Sequence, residues 1–293
     1  MSAWQEDEAD IEASRAPLLD HLIELRKRLI WCVASFVVAF VIAFIFSNEI
    51  LWFLIRPFAV AGELFKHVKP GAHFNPFDLV AAVGNFTLYQ HATAGLIATA
   101  PLETFFAKMK LAAFGAIVLS FPMLAYQLYR FVAPGLYKRE RRAFLPFLFA
   151  SPTLFLMGAA LVYFVMLPFV LWFSLNQQGL VAGGAMVQLL PKVSDYLSLV
   201  TTLLLAFGLC FQLPVVLTLL GMAGIVSAQM LSQGRRFAIV GVVVVAAVVT
   251  PPDPISQILL ATPLVLLYEV SIWCVKLIEL RRKREDEAAE AVV

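Results

Sequence analysis

The sequence predicts an all-α polytopic membrane protein whose six transmembrane helices form one domain. Two observations support this fold class: the 293 residues are 61% hydrophobic and only 14% charged, and the apolar residues gather in long runs. Soluble domains carry about 25% charged residues, so this chain has too little polar surface to face water on all sides. The composition therefore excludes a soluble enzyme, a disordered chain and a basic nucleic-acid-binding protein.

Six apolar runs mark the predicted spans, because about 20 helical residues are needed to cross a hydrocarbon core of about 30 Å. They cover residues 29–46, 111–131, 145–173, 196–220, 237–249 and 257–275. Residues 19–278 form the predicted transmembrane domain, between an acidic tail at 1–18 and a charged, solvated tail at 279–293.

Two connecting segments and one proline complete this outline. Residues 47–101 are expected to lie outside and to fold as short helices on the membrane surface. The glycine-rich segment 176–191 is typical of a loop. Pro214 is expected to kink the fourth span, because it removes a helical N–H.

The fifth run is unusually short. Phe237 to Val249 precedes the sequence TPPDP, and a helix of this length measures about 20 Å. A short span requires a thinner bilayer or helix association. A buried re-entrant segment is the alternative.

The distribution of basic residues predicts the orientation, because cytoplasmic loops are enriched in Lys and Arg. Alternate loops place 16 of the 22 Lys and Arg residues on one side. Both termini are therefore expected in the cytoplasm, with the protein in the inner (plasma) membrane. The acidic N-terminus lacks the basic start of a secretory signal.

Two charged segments lie at the predicted cytoplasmic boundary. Glu24 and Arg28 have the i,i+4 spacing of a helical ion pair, and Glu140 is a lone carboxylate among four bases in the loop 131–142. Both segments are compatible with simple topological charge. The functional interpretation is a set of carboxylates prepared for a cationic ligand.

Polar residues also occur near or within the predicted spans. The segment 250–257 is a proline-rich turn that places Asp253 and Gln257 at the other boundary. Gln212 lies within the fourth span and is expected to face protein or a water-filled cavity, since an unpaired polar group in lipid is costly. Glu269 lies either in the sixth span or at its interface.

No catalytic, metal-binding or cofactor motif is present. The four histidines form no metal-binding pattern, the three cysteines are isolated in apolar runs, and no phosphate-binding glycine motif occurs. We therefore expect neither an enzyme nor a cofactor. A membrane-embedded enzyme and a secondary transporter for a small solute remain alternatives, although no internal repeat supports the transporter.

Five separated motifs resemble the TatC family, which is the signal-peptide receptor of the twin-arginine translocase. In chain order they are HLIELRKRL, PLETFFAKMKL, FPMLAYQLYRFVAPGLYKRERR, GLCFQLPVV and TPPDPISQILLATPLVLLYE. The resemblance covers residues 19–269. It implies a cup-shaped six-helix bundle that binds twin-arginine signal peptides of folded precursors and associates with itself and with the single-span proteins TatA and TatB. It also implies that the proton-motive force drives export, without ATP.

The resemblance assigns residues to two sites and leaves two departures. The cytoplasmic signal-peptide site would contain Glu24, Leu25, Arg26, Arg28, Phe131 and Glu140. The family's external polar positions would be Pro57, Glu103, Asp253 and Gln257, and the polar residues at membrane depth noted above, Gln212 and Glu269, complete the set. Many relatives have Glu where Gln212 stands, which puts in doubt any role that needs a charge there. The segment 61–99 is also longer than usual, and no function is carried onto it.

The short fifth span predicts a docking surface for the single-span partner. Its small residues, among them Ala246, would allow close helix approach. The predicted surface comprises Gly241, Ala247, Val248, Thr250 and Gln257, with the last two offering hydrogen bonds.

Overall fold

The computed structural model describes residues 3–66, 76–85, 95–132, 145–176, 179–181, 185–187, 191–249 and 254–290. The first half contains α1 (Ala3–Ile45), α2 (Ser47–Lys66), α3 (Pro76–Gly84), α4 (Glu103–Val132), α5 (Leu145–Leu161), a π-helical turn (Val162–Met166) and α6 (Leu167–Asn176). The second half contains β1 (Gly179–Val181), β2 (Ala185–Val187), α7 (Val193–Cys210), α8 (Leu213–Met222), α9 (Ala228–Gln233), α10 (Arg235–Val249) and α11 (Pro254–Glu290). The predicted all-α class is confirmed.

Within the described residues, five stretches of helix are long and apolar enough to cross a membrane. They are Ile23–Ile45, Glu103–Arg130, Phe147–Leu175, Val193–Met222 and Gln257–Arg281, and each overlaps one predicted span. The predicted fifth span corresponds to α10, whose 15 residues give a helix of about 22 Å. The six-span count therefore remains a prediction.

Three segments differ from the expectations. Residues 47–101 contain the expected short helices, α2 and α3, and α2 also packs into the main core through Leu54, Val60 and Ala61, which the sequence did not predict. The expected loop 176–191 contains the antiparallel pair β1–β2. The charged C-terminal segment continues α11 to Glu290, because Ala, Glu, Lys and Arg are good helix formers that extend an existing helix.

Pro57 and Pro214 alter the backbone hydrogen bonding of their helices. Pro57 lies inside α2 and cannot donate to the carbonyl of Phe53, and the Tyr163 hydroxyl donates to that oxygen instead, at 2.8 Å. Pro214 lies at the start of α8, after the break at Phe211 and Gln212 that separates α7 from α8. The expected interruption of the fourth span at Pro214 is confirmed.

The helices approach closely where glycines face aromatic rings. A Cβ atom on Gly208 of α7 would lie 2.5 Å from Cε2 of Phe155 in α5, and one on Gly158 of α5 would lie 2.8 Å from the Phe207 carbonyl oxygen. Phe155 also stacks on Phe121 of α4, with ring centroids 4.1 Å apart. Helix contact in lipid depends on such small residues, so these two glycines set the distance between α5 and α7.

We expect Gly208→Ala to destabilise the protein by about 1–3 kcal/mol, because the added methyl overlaps the Phe155 ring in a filled core. The measurement is the midpoint of thermal unfolding of the purified protein in detergent. Gly241→Ala in α10 is the matched control, since nothing lies within 4 Å of its added Cβ. Equal midpoints for the two variants would contradict the assigned role of Gly208.

Candidate functional site

A cleft between α1 and α4 contains part of the predicted cytoplasmic site. Its volume is 560 Å³, and it is lined by Ile23, Glu24, Lys27, Arg28, Trp31, Met123, Gln127 and Arg130. The cleft lies where α4 ends, at the end of the bundle that also carries Arg235 and Lys276, which we call the basic end. Apolar and charged groups meet here, as expected where a helix leaves a membrane.

The predicted pair of Glu24 and Arg28 is confirmed. Nη2 of Arg28 donates to Oε1 of Glu24 across one helical turn. The Arg28 side chain is only 12% exposed, whereas that of Glu24 is 40% exposed. The pair therefore fixes a carboxylate at the surface of the cleft.

The other predicted members of this site are distributed differently. Leu25 and Arg26 are exposed on α1 and do not line the cleft. Phe131 follows Arg130 in α4, so the backbone places it beside the cleft, but its side chain and the whole of Glu140 lie outside the described residues. The structure therefore brings together Glu24 and Arg28, with Gln127 and Arg130 as lining residues that sequence reasoning missed.

At the opposite end of the bundle, Glu103 connects three segments. Its Oε2 accepts from the Thr99 amide (2.5 Å), the Thr99 hydroxyl (3.0 Å) and the Ala100 amide (3.2 Å). Its Oε1 accepts from the Ser194 hydroxyl at 2.7 Å and the Ser194 amide at 3.3 Å. Glu103 thus joins the segment before α4 to the start of α7, and its oxygens are engaged within the protein.

Pro57 lies beside a buried arginine that the sequence did not reveal as structural. Arg56 is only 3% exposed, and it donates to the carbonyl oxygens of Val83 at 2.9 Å and Asn85 at 2.7 Å. These carbonyls lie at the C-terminus of α3, where helix dipoles favour a cation. Arg56 therefore fastens α3 to α2.

Gln212 is paired with α5, as expected of a polar residue at membrane depth. The Ser151 hydroxyl donates to Oε1 of Gln212 at 2.6 Å, and Nε2 of Gln212 donates to the Ser151 carbonyl at 2.9 Å. Because an amide both donates and accepts, Gln212 completes this reciprocal contact as a neutral group.

Glu269 is paired at the basic end. Its two oxygens each lie 2.9 Å from a nitrogen of Arg235, in the bidentate arrangement that Arg and carboxylates favour. Both side chains are partly exposed. The contact joins α11 to the start of α10.

Most of α10 faces away from the bundle. Gly241 and Ala247 are exposed, Val248 is 80% exposed, and Gln257 of α11 donates to the Val243 carbonyl at 3.3 Å. Ala246 is fully buried in the core, so its assignment to the docking surface was wrong: it lies on the opposite side of the helix. Thr250 and Asp253 lie outside the described residues.

Comparisons with known proteins identify the family. The family described as "TatC: Sec-independent protein translocase protein (TatC)" matches residues 20–263. The chain belongs to the TatC family. It is 40% identical over 281 residues to the Sec-independent protein translocase protein TatC of Magnetococcus marinus, with 96% of this chain and 91% of that protein covered. It is 35% identical over 257 residues to the TatC protein of Escherichia coli K12, with 88% and 87% covered.

Solved structures agree with this assignment. A crystal structure of the twin arginine translocase receptor TatC in DDM superposes with a TM-score of 0.67 at 34% identity, covering 86% of this chain and 98% of the other. The chain is thus a multi-pass membrane protein and a subunit of the Sec-independent, twin-arginine protein translocase, with a role in protein transport. As a Tat subunit it has partners within the Tat complex.

Proposed function

We propose that this TatC protein is the receptor that binds twin-arginine signal peptides of folded precursors, at the basic end of the bundle. The observation that carries the proposal is the cleft between α1 and α4, where Arg28 fixes the exposed Glu24 carboxylate. The chain leaves α4 at Val132 and reaches Glu140 eight residues later. Glu24 and Glu140 would together receive the two arginines, with Phe131, Leu25 and Arg26 beside them.

The chemistry of the ligand fits carboxylates in a basic setting. A guanidinium group is planar and always charged, and it donates two parallel hydrogen bonds to one carboxylate. Glu24 is surrounded by the basic residues Lys27, Arg28 and Arg130. Their positive charges repel any cation in the cleft that does not contact a carboxylate. The cleft would therefore select a peptide whose arginines have the correct spacing, since repulsion outside the correct position contributes to specificity.

Glu140→Gln is expected to lower crosslinking of a twin-arginine peptide at least tenfold while leaving membrane insertion intact, because the amide has no negative charge and only one acceptor oxygen for the guanidinium. Glu24→Gln should weaken crosslinking by a smaller factor, since Arg28 already pairs with that carboxylate. The measurement is photocrosslinking of a labelled signal peptide in membranes. Replacing the peptide's Arg-Arg by Lys-Lys should also weaken binding to the unaltered protein.

Glu103→Gln is the matched control, because Glu103 lies at the opposite end of the bundle and is engaged by Thr99 and Ser194. Undiminished crosslinking in Glu140→Gln would remove that residue from the site. Equal affinity for the Arg-Arg and Lys-Lys peptides would count against bidentate recognition.

We further propose that the basic end faces the cytoplasm and that both termini lie there, in the inner membrane. The contacts among α4, α8 and α11 support one part of this proposal, namely that these three helices end on the same side of the membrane. Their residues Tyr129, Met222 and Val275 lie at the basic end of the bundle. The larger number of Lys and Arg residues at this end then indicates that it faces the cytoplasm.

In a variant without the three natural cysteines, new cysteines at positions 2, 138 and 290 should react only with reagents that enter the cytoplasm. A cysteine at position 253 should react from outside. The readout is labelling by a membrane-impermeant maleimide in intact and permeabilised cells. Labelling of position 138 in intact cells would overturn the proposed orientation.

The exposed face of α10 supports docking of a single-span partner of the TatA or TatB type. Gly241 and Val248 are exposed, and Gln257 reaches the α10 backbone from α11. A helix of about 22 Å is shorter than the hydrocarbon core, and a partner packed against it would share the cost of thinning the bilayer. Export by the assembled complex would use the proton-motive force.

Cysteines at Gly241 and Val248 are expected to form disulfide crosslinks with cysteines in the partner's helix. Ala246→Cys is the matched control: it lies in the same helix but is buried in the core, so it should give none. The test is oxidative crosslinking in membranes. Crosslinks along Phe147–Leu175 instead, together with unchanged export after four leucines are inserted following Val249, would contradict docking at α10.

A further inference from the structure

A second polar cleft opens between α9 and α11 at the basic end, and the proposed function does not use it. Its volume is 370 Å³, and its lining includes Gln229, Ser232, Arg235, Trp273, Lys276 and Glu279. We call it the α9–α11 cleft. It is separate from the cleft between α1 and α4, with which it shares no lining residue.

Besides the paired Arg235, the α9–α11 cleft contains one charge of each sign that forms none of the ion pairs among the described residues. Arg235 is already paired with Glu269, whereas Lys276 lies over the Trp273 ring, 6.0 Å from its centroid. Oε1 of Glu279 accepts from the Ala228 amide at 2.8 Å. The described ion pairs do not include one between Lys276 and Glu279, although the two residues are three apart on α11. The cleft is therefore suited to a ligand that is itself zwitterionic.

The surroundings indicate a lipid ligand. An exposed apolar stripe runs along α11 past the cleft at helical spacing, and it consists of Leu266, Val270, Trp273, Leu277 and Leu280. Trp273 is 65% exposed, and tryptophans of this kind occupy the boundary between lipid and water. A ligand in the cleft would thus have its polar part between Lys276 and Glu279 and its apolar part along the stripe.

We propose that the α9–α11 cleft binds the headgroup of a phospholipid that carries a primary amine, of the phosphatidylethanolamine class. The phosphodiester would accept from the Lys276 ammonium and from the Ser232 hydroxyl, and the lipid's ammonium would donate to Glu279. A choline headgroup has no N–H to donate, and a glycerol headgroup has no positive charge for Glu279. The acyl chains would pack along the α11 stripe.

The test is native mass spectrometry of the full-length protein in detergent, titrated with phosphatidylethanolamine, phosphatidylcholine and phosphatidylglycerol of identical acyl chains. We expect phosphatidylethanolamine to bind several-fold more tightly than the other two. Preference for phosphatidylglycerol, or equal binding of all three, would overturn the proposal. Soluble phosphoethanolamine should not compete at the lipid's own concentration, and equal competition would overturn the assignment to a lipid.

Two variants locate the headgroup. Lys276→Gln should weaken phosphatidylethanolamine and phosphatidylcholine alike by about tenfold, the loss expected for one charge-assisted hydrogen bond. Glu279→Gln keeps an oxygen for the Ala228 amide and should abolish only the preference for phosphatidylethanolamine over phosphatidylcholine.

Lys108→Gln is the matched control, because it removes one lysine from α4 toward the opposite end of the bundle, and it should leave all three affinities unchanged. If Glu279→Gln does not fold, the lipid preference of the unaltered protein and the effect of Lys276→Gln still decide whether the α9–α11 cleft binds this headgroup. Equal losses in Lys276→Gln and Lys108→Gln would show that lipid binds by general charge and would overturn the site.

Discussion

The fold depends on one constraint: a polar group inside an apolar bundle must find its partner within the protein. The carbonyl of Phe53 has no helical donor, because Pro57 lacks a backbone N–H, and it accepts a hydrogen bond from the Tyr163 hydroxyl instead. The next carbonyl, that of Leu54, receives the Tyr196 hydroxyl at 2.8 Å. These two contacts attach α2 to the π-helical turn and to α7. They explain how α2 is held against the core of the bundle.

Close packing of side chains also holds the helices together, but the buried share differs from helix to helix. Gly158 and Gly208 let α5 and α7 approach through aromatic rings, and 56% of the apolar window in Val193–Met222 is buried. In Ile23–Ile45 the buried share is only 11%. The first helix and α10 are therefore attached along narrow faces, and their remaining surfaces are left for lipid or for another protein.

Sequence periodicity was sufficient for features that arise within one helix. The apolar runs predicted the helical class, and the spacing of Glu24 and Arg28 predicted their ion pair. Pro214 predicted the break between α7 and α8. Contacts between distant segments were not predictable in this way, because no local pattern states which residues meet. Examples are Ser151 with Gln212, Arg235 with Glu269, and Arg56 with the end of α3. The assignment of Ala246 to the docking surface was wrong for a related reason. Composition identifies a small residue but not the side of the helix on which it lies.

The partnered interior also favours a receptor over a carrier of small solutes. A solute pathway needs polar groups near the middle of the membrane that remain available to the solute. Among the described residues, Gln212 and Ser151 hydrogen-bond each other, and the hydroxyls of Tyr163 and Tyr196 are engaged by backbone carbonyls. Exposed charged groups lie instead toward the ends of the bundle, such as Lys276 at the basic end and Lys192 and Asp195 at the opposite end. The proposed recognition of a charged peptide or a lipid headgroup at the boundary of the bundle would use this arrangement directly, because the ligand's polar part would stay close to water while its apolar part remained in the membrane.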